Sequence, residues 1–488
     1  MTETSRRWLF ADQLGPHFLD AATQPVLLVE SKAVFRRRAF HRQKAHLVLS
    51  ALRHRAAELG EQCTFVRAET YAEAVDGPLS VCHPTSRGAR DLVRRLGVEL
   101  LPPRGFVTAP EDFTAWAHGR RGLRMEDFYR DARQRHGVLM DGGEPAGGRW
   151  NLDVENRQPP PRATTLGVPP PPEIVEDDID AAVRADLDRW AREDGITFVG
   201  RDGPRLFPAT RREALARLRH FIEFRLPAFG PYEDAMLAGD PWMSHSMLSA
   251  AMNLGLLDPV EVIHAAEDAY RSGAAPLPSV EGFVRQIMGW RDFVWHLYWY
   301  FEPDYRRANE LGATGRIPQW FADLDADAVE ARCLSDVLRG VRDRGWVHHI
   351  PRLMVLGNYA MQRGWRPAAM SDWFHRSFVD GYDWVMTANV VGMSQFGDGG
   401  RMSTKPYAGG GAYINRMSDY CGGCRYDPKV RVGDDACPYT AGYWAFLHRN
   451  EERLRANHRM RQPMRGLDRL TDLDALVEQE RARGSQSP

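Results

Sequence analysis

Residues 420–440 read YCGGCRYDPKVRVGDDACPYT, and this stretch determines how the C-terminal third of the chain must fold. It contains Cys421, Cys424 and Cys437, and a fourth candidate ligand, Cys333, lies upstream. Thiolates bind soft metal ions, and a CxxC turn lets two sulfurs face one metal while more distant cysteines complete a set of four. We therefore predict a metal site that anchors this stretch.

Two alternatives accompany the metal site. A disulfide framework is disfavoured, because six cysteines in 488 residues without a secretory signal indicate a reducing compartment. A four-thiolate zinc site and a four-thiolate iron–sulfur site use the same ligands at similar spacing. The spacing alone does not choose between the two metals.

The segments on either side of the cysteines differ in character. Residues 392–420 are rich in glycine and poor in large apolar side chains, which predicts an ordered loop. Residues 439–460 regain helical spacing, with a predicted core face of Tyr443, Trp444, Phe446 and Leu447. The metal is expected to pin the loop onto a helical body.

From about Asp180 onward, apolar residues recur at three- and four-residue intervals, which predicts a large all-helical domain without internal repeats. The clearest such segments are residues 210–226, 280–301, 333–343 and 348–365. Within residues 241–255, the side chains of His245, Ser246 and Ser249 offer donors and a helix N-terminus to a phosphate. Helix capping by Ser244 or Ser246 is the alternative interpretation.

The first 150 residues alternate apolar runs with amphipathic stretches, which predicts an α/β domain with a parallel, Rossmann-like sheet. The runs are RWLFA at 7–11, VLLVE at 26–30, CTFVRA at 63–68 and LSVCH at 79–83. Asp12 and Gln13 follow the first run and Glu30 ends the second, where parallel sheets bind ligands. Caps and solvated turns explain these three residues equally well. No GxGxxG follows a strand, so a nicotinamide cofactor is not supported.

A connector separates the two halves. Residues 120–161 are strongly basic at helical spacing, which suits either an exposed helix face or a phosphate contact. Residues 158–180 are rich in proline, and this composition favours an extended linker. We therefore predict an α/β domain over 1–150, a linker over 151–182 and a helical domain over 183–488.

The composition excludes some classes of protein. The formal net charge of −1 does not indicate a polyanionic partner, so any contact with nucleic acid must come from a local basic patch. No apolar run approaches the length of a membrane span, and the N-terminus lacks the apolar core of a signal peptide. We expect a soluble, cytoplasmic protein. Fourteen tryptophans and fifteen tyrosines suit a core, electron transfer or stacking on flat rings.

Seven short sequence motifs occur along the chain in a specific order. They are FADQL at 10–14, LRMEDFYR at 123–130, GGRWNLDVENR at 147–157, SHSMLS at 244–249, RQIMGWRDF at 285–293, HHIPRLMVLGNYA at 348–360 and DWVMTANVVGMSQ at 383–395. With the cysteines, they resemble the photolyase/cryptochrome family, in its bacterial iron–sulfur branch of (6-4) photolyases and related cryptochromes. The resemblance covers nearly the whole chain. It implies an α/β antenna domain, a helical FAD domain and a [4Fe–4S] cluster on Cys333, Cys421, Cys424 and Cys437.

The resemblance also implies which residues hold the cofactors. Around the FAD phosphates and ribityl chain it places Tyr232, His245, Ser246, Leu248, Ser249, Gln286 and Arg291. Along the isoalloxazine ring and adenine it places Asp380, Asp383 and Asn389, with Asn389 at the reactive edge. Arg352 would pair with Asp380, and a fixed cation there favours an anionic reduced flavin. A 6,7-dimethyl-8-ribityllumazine antenna is expected near Asp12, Gln13 and Glu30.

The implied activity is light-driven repair of (6-4) photoproducts in UV-damaged DNA by a monomer. His349 would donate a proton to the lesion and His348 would orient it, since histidine has a suitable pKa. Without the resemblance, a satisfied core histidine is the simpler interpretation of His349. The lesion must be flipped out of the duplex, which calls for cations on the rim and aromatic or Met walls. The alternatives are a blue-light photoreceptor without repair activity and a zinc-stabilised nucleic-acid-binding protein without flavin.

One departure from the family pattern concerns electron transfer. Trp373 matches a tryptophan on the route to the flavin, but Phe374 stands where a tyrosine is often found. Asp325 stands eight residues before Cys333, where relatives often carry a tryptophan. A substitute route through Trp346, Trp384 or Tyr413 remains open.

Overall fold

The computed structural model describes residues 5–488, and its N-terminal part is built on a five-stranded parallel sheet. The strand order is β3-β2-β1-β4-β5. The strands are β1 (Arg6–Leu9), β2 (Val26–Ser31), β3 (Cys63–Ala68), β4 (Leu79–Cys82) and β5 (Glu99–Leu101). The four predicted apolar runs supply β1 to β4. Strands β2 and β4 are buried throughout, as strands covered on both faces are, whereas the edge strand β3 is partly exposed.

The strand order reverses at β1. The chain passes from β1 to β2 and β3 on one side and later adds β4 and β5 on the other. Ligands of such sheets bind beyond the carboxyl ends of the strands at this switch point. Asp12 follows β1 at that place, so the topology positions it at the crevice.

Helices make up most of the remaining structure, together with a short hairpin of β6 (Met140–Asp141) and β7 (Glu144–Pro145). Those within the first 150 residues are α1 (Ala33–Arg37), α2 (Arg42–Leu59), α3 (Arg87–Arg95), α4 (Pro110–Ala117) and α5 (Met125–His136). The later ones are α6 (Asp178–Glu193), α7 (Arg211–His220), α8 (Leu226–Phe229), α9 (Ser249–Asn253), α10 (Pro259–Arg271), α11 (Leu277–Val284), α12 (Asp292–Tyr300), α13 (Gln319–Ala322), α14 (Arg332–Arg344), α15 (Asn358–Arg363), α16 (Pro367–Ser377), α17 (Asp383–Met386), α18 (Gly411–Met417), α19 (Pro438–Arg449), α20 (Glu451–Arg455), α21 (Arg461–Leu467) and α22 (Leu473–Arg483). Across residues 5–488, no helix has the length and apolar character needed to cross a bilayer.

Four π-helical turns interrupt these helices, at Phe221–Arg225, Arg285–Arg291, Pro351–Gly357 and Thr387–Ser394. Such turns are rare and are frequently found at functional sites. The last three contribute residues to one cavity, described below.

The proline-rich connector lies on the helical domain without forming a helix or strand between residues 149 and 177. Arg217 donates to the carbonyl of Pro172 at 3.1 Å, and Arg225 donates to that of Pro169 at 2.8 Å. Helix α6 begins inside the predicted linker and packs against α2 of the sheet domain.

One local prediction is wrong. The glycine-rich segment 392–420 is not a loop throughout, since it contains α18 and the end of a π turn. Gly411 begins α18. A side chain at this position would collide with Cys437 and Thr440, so close packing, not flexibility, explains why the residue is glycine. The helix predicted over 439–460 forms as α19 and α20, with Phe446 and Leu447 fully buried.

Candidate active site and cofactor cavities

The helical domain encloses a cavity of about 590 Å³. Its walls come from α9, α17 and three of the π turns. This volume lies in the range of sites that hold small molecules and cofactors. We call it the central cavity.

Most of the predicted FAD residues line the central cavity. They are His245, Ser246, Ser249, Gln286, Arg291, Arg352, Asp380 and Asn389, and the two candidate catalytic residues His348 and His349 join them. The structure thus brings together residues that are up to 144 positions apart in the sequence, counting from His245 to Asn389.

Three predicted residues lie outside this lining. The Leu248 side chain is fully buried in the core, and Tyr232 packs on a small apolar cluster that includes Met243. Asp383 faces a different cavity and accepts a hydrogen bond from the Tyr298 hydroxyl at 2.7 Å. Only three positions separate Asp383 from Asp380, but the turn at Gly381 directs the two carboxylates to different cavities.

Asp380 is the most heavily bonded acid of the central cavity. Arg352 donates to both of its oxygens at 2.8 and 3.1 Å, and the Ser249 hydroxyl donates to it at 2.7 Å. Asn253 donates to its backbone carbonyl at 3.0 Å and in turn accepts from Arg291 at 2.5 Å. Burial lowers the pKa of Arg291 to about 10, so this guanidinium stays charged at neutral pH.

Three histidines meet at one end of the central cavity. The rings of His245 and His348 stack at 4.2 Å, and both side chains are buried. Burial lowers the pKa of each well below its ordinary value, so both imidazoles are neutral near pH 7. The side chain of His349 is 47% exposed, and its Nε2 lies 3.6 Å from the carboxylate of Asp234.

Two adjacent acids of the central cavity, Glu233 and Asp234, were missed in the sequence. Burial raises the pKa of Glu233 to about 7, and one of its oxygens has no hydrogen-bond partner. Burial acts to raise the pKa of Asp234, but the contact with His349 and the nearby Arg157 guanidinium hold that pKa below its ordinary value. The segment Pro231–Asp234 carries no pattern that distinguishes a cavity wall from a solvated turn.

The four predicted metal ligands line one small pocket. Cys333 lies in the first turn of α14, Cys421 lies within a 3₁₀ turn that ends just before Cys424, and Cys437 precedes α19. Burial and the neighbouring thiols raise the pKa of Cys333 well above its ordinary value and that of Cys421 to about 12. A bound cation would offset this repulsion, because metal ligation requires thiolates. All six cysteines are unbridged.

A second cavity of about 770 Å³ opens at the switch point of the sheet, and we call it the interdomain cavity. Asp12 lines it and accepts a hydrogen bond from the Thr85 hydroxyl at 2.5 Å. The other Asp12 oxygen has no partner, and burial raises the pKa of this acid. Lys44, His375 and Tyr382 also line the cavity and were not predicted.

The other two residues predicted for this crevice lie elsewhere. Gln13 donates to the carbonyl of Cys82 at 2.8 Å and is buried against β4. Glu30 accepts from Arg53 at 2.8 Å and from Arg67 at 3.0 Å. Both residues follow β1 in a turn, closed by the Gln13 N–H donating to the carbonyl of Phe10 at 2.9 Å, and this turn directs the two side chains apart.

Trp373 is buried next to the central cavity, with Phe374 between them. The rings of Trp373 and Phe374 are 5.1 Å apart, and Phe374 lines the cavity. On the other side, Phe321 is 4.6 Å from Trp373 and 4.8 Å from Trp365, which lies 6.4 Å from Trp320. The three candidates for a substitute route, Trp346, Trp384 and Tyr413, all line the cavity, whereas Asp325 caps a 3₁₀ turn.

Two solved structures share this fold. A bacterial class III photolyase from Agrobacterium tumefaciens superposes with a TM-score of 0.59 at 15% identity, over 99% of this chain and 97% of that one. The Synechocystis sp. PCC6803 cryptochrome gives a TM-score of 0.52 at 15% identity, over 80% and 82%. The sheet domain and the helical domain together define the photolyase/cryptochrome class of fold.

Sequence comparison places the chain in this family. The family described as "Deoxyribodipyrimidine photo-lyase-related protein" matches residues 7–81 and 79–194. A protein of Agrobacterium fabrum (strain C58 / ATCC 33970) named "(6-4) photolyase" is 38% identical over 499 aligned residues, which cover 95% of each chain. The chain therefore belongs to the photolyase/cryptochrome family, as a photolyase-related protein.

Membership of this family implies FAD, and the central cavity fits it. Arg291 and Arg352 supply cations of the kind that phosphates require. Trp290, Trp346 and Trp384 supply flat apolar walls for a ring system. The buried nitrogens His245 Nε2 and His348 Nδ1 have no partner within the protein, as expected where a ligand completes the hydrogen bonding.

Proposed function

We propose that this protein is a (6-4) photolyase, which uses blue light to repair (6-4) photoproducts in DNA. The observation that carries the proposal is the identity of 38% over 95% of the chain with a relative of that name. FAD, when bound and reduced, supplies one-electron transfer on excitation by blue light. The rest of the chemistry belongs to residues of the chain.

The binding residues are those assigned from the family resemblance. We propose that Tyr232, His245, Ser246, Leu248, Ser249, Gln286 and Arg291 hold the phosphates and ribityl chain, and that Asp380, Asp383 and Asn389 lie along the rings. Seven of these ten line the central cavity, whereas Tyr232, Leu248 and Asp383 lie outside its lining. The Arg352–Asp380 pair keeps a fixed cation in the cavity.

His349 is the proposed proton donor. Its side chain is half exposed and lines the central cavity, and its Nε2 lies 3.6 Å from the carboxylate of Asp234, which can orient the ring. Buried His348 is neutral near pH 7, so it is unsuited to donate as an imidazolium and instead packs beside its neighbour. The geometry therefore favours His349 over His348 as the acid.

The proposed substrate is UV-damaged DNA, bound by a monomer of the protein. A lesion flipped into the cavity would meet Arg157, Tyr407 and Met393, which line it. A half-exposed arginine attracts the phosphate backbone, and aromatic or Met side chains stack on bases.

The decisive experiment uses DNA with a single (6-4) lesion, chemically reduced protein and continuous blue light, with products separated by chromatography. We expect restored pyrimidines only in the light. If the protein repairs neither (6-4) nor cyclobutane lesions, the photoreceptor alternative is favoured. If the purified protein is colourless and contains no flavin, only a nucleic-acid-binding role is left.

We further propose a [4Fe–4S] cluster on Cys333, Cys421, Cys424 and Cys437. A tetrahedral zinc site with Zn–S bonds of 2.3 Å places its sulfurs about 3.8 Å apart. Among residues 5–488, no three of the cysteine sulfurs lie within 4.8 Å of one another. This wider spacing supports a multinuclear cluster over a single zinc ion.

A lumazine-type antenna in the interdomain cavity is a further part of the proposal. Of the three residues predicted to bind the antenna, Asp12 lines the cavity, and one of its carboxylate oxygens has no hydrogen-bond partner. Gln13 and Glu30 do not line the cavity and would affect the antenna only indirectly, by supporting the residues that do. We expect Asp12→Ala to lower the content of 6,7-dimethyl-8-ribityllumazine and to leave FAD content unchanged. Chromophores extracted after growth with lumazine give the measurement, and FAD alone in the unmodified protein would contradict the antenna.

Electron supply to the flavin is proposed to pass through Trp373. The chain of rings from Phe374 to Trp320 reaches the partly exposed surface without using position 325. We expect Trp373→Phe to slow the light-driven reduction of bound FAD by an external thiol, because phenylalanine is much harder to oxidise than tryptophan. Flavin absorbance under blue light measures the rate, with Trp8→Phe in the sheet domain as the control. An unchanged rate would favour the routes through Trp346, Trp384 or Tyr413.

A further inference from the structure

Lys44 is a buried cation that crosses from the sheet domain into the helical domain. It lies on α2 and is only 6% exposed. Its ammonium group donates to the carbonyl of His375 at 2.7 Å and to the carbonyl of Gly381. Burying a charge in this way costs free energy unless partners compensate for the lost water.

The partners of Lys44 converge on the turn that carries Asp380. Gly381 follows Asp380 directly, and a side chain at Gly381 would collide with the carbonyls of Phe374 and His375. The turn is therefore tight, and Lys44 stabilises it by donating a hydrogen bond to the Gly381 carbonyl. Asn253, on α9 of the helical domain, holds the same turn by donating to the Asp380 carbonyl at 3.0 Å.

The charge of Lys44 also acts on Asp380. Burial lowers the pKa of Lys44 to about 7, and the Asp380 carboxylate is the group that opposes this shift most strongly. Arg38 works in the other direction, whereas the buried His375 is uncharged. The rings of Phe40 and Tyr382 lie 4.9 and 5.3 Å from the ammonium and favour its charged form.

We propose that Lys44 is a positioning residue for the central cavity: from the sheet domain, it holds the Asp380 carboxylate where Arg352 and Ser249 bind it. Asp380 lines the central cavity, but Lys44 lines the interdomain cavity and does not reach the central one. Lys44 therefore acts through Asp380 and not by touching FAD. This inference rests on the proposed binding of FAD in the central cavity.

The test is the affinity of the FAD-depleted full-length protein for FAD, followed by quenching of flavin fluorescence. We expect Lys44→Met, which keeps the apolar stem and removes the donor, to weaken binding on the order of tenfold. Lys32→Met is the matched control. Lys32 is another lysine of the sheet domain, but its partner is Asp194 at 2.6 Å, so FAD affinity should not change.

A double-mutant cycle separates positioning from a general structural effect. If Lys44 acts through Asp380, adding Ser249→Ala to Lys44→Met should cost less than Ser249→Ala costs alone. Gln286 lines the cavity from another helix, so Gln286→Ala combined with Lys44→Met should give additive losses. Full affinity of Lys44→Met, or additivity with Ser249→Ala, would overturn the inference.

The pH profile provides a readout that needs no change at Lys44. Glu233 in the central cavity also titrates near 7, so the measurement uses Glu233→Gln protein. There, FAD affinity should weaken as the pH rises through about 7, where Lys44 loses its charge. A flat profile would overturn the inference. If the unmodified protein binds no FAD at any pH, the proposed function fails instead.

Discussion

Replacing His349 with alanine should abolish repair of (6-4) lesions, with a loss of at least about 100-fold in rate. The acid acts on the transition state and not on the affinity for substrate, so flavin content and lesion binding should stay near those of the unmodified protein. The measurement is single-lesion DNA under continuous blue light, with reduced protein and chromatographic detection. Lesion affinity is measured separately, in the dark.

Two variants control this experiment. His348→Ala should give a partial loss, because His348 packs beside His349 and stacks on His245 without carrying a charge. His264→Ala, at an exposed position of α10, should have no effect. Full repair by His349→Ala would eliminate the proposed role. Loss of flavin from that variant would instead place His349 among the cofactor contacts.

Replacing Cys333 with alanine should remove the iron and destabilise the helical domain by about 4 kcal/mol or more. The reason is geometric. In the proposed cluster, Cys333 on α14 would join the turn at Cys421 and Cys424 to the start of α19, and the bound metal would offset the repulsion among the four thiolates. Anaerobic metal analysis and denaturant unfolding followed by circular dichroism give the two measurements.

Cys63→Ala is the matched control for the cluster. Cys63 is a half-buried free cysteine of β3, remote from the four-cysteine pocket, so its loss should leave the iron content unchanged. Zinc in place of iron in the unmodified protein would refute the cluster, whatever the stability of the variants.

The class of fold could be predicted from the sequence because its signals are local. Runs such as VLLVE at 26–30 are buried on both faces of the sheet, and helical spacing persists through most of the second half. Strand β5 was missed, because Glu99–Leu101 has three residues and is only partly buried. Helix α18 was missed, because its glycine serves close packing, which composition does not reveal.

The candidate sites could be predicted only in part. The family resemblance named both Asp380 and Asp383, but the cavity that each carboxylate faces depends on the turn between them. Asp234 belongs to none of the sequence motifs, so its place in the cavity could not be predicted. Lys44 lies in an ordinary basic helix, RQKAHLVL at 42–49, and its role depends on carbonyls more than 300 positions away in the chain. Such contacts are set by tertiary packing, which a single sequence does not encode in any local pattern.

The segment from Phe374 to Trp384 forms a wall with a different cavity on each side. Phe374, Asp380 and Trp384 face the central cavity, whereas His375 and Tyr382 face the interdomain one. A single thickness of polypeptide therefore borders two compartments, and a displacement of this segment that enlarges one of them narrows the other. If the proposed flavin and antenna occupy these cavities, substitutions in this segment should be tested for the content of both chromophores.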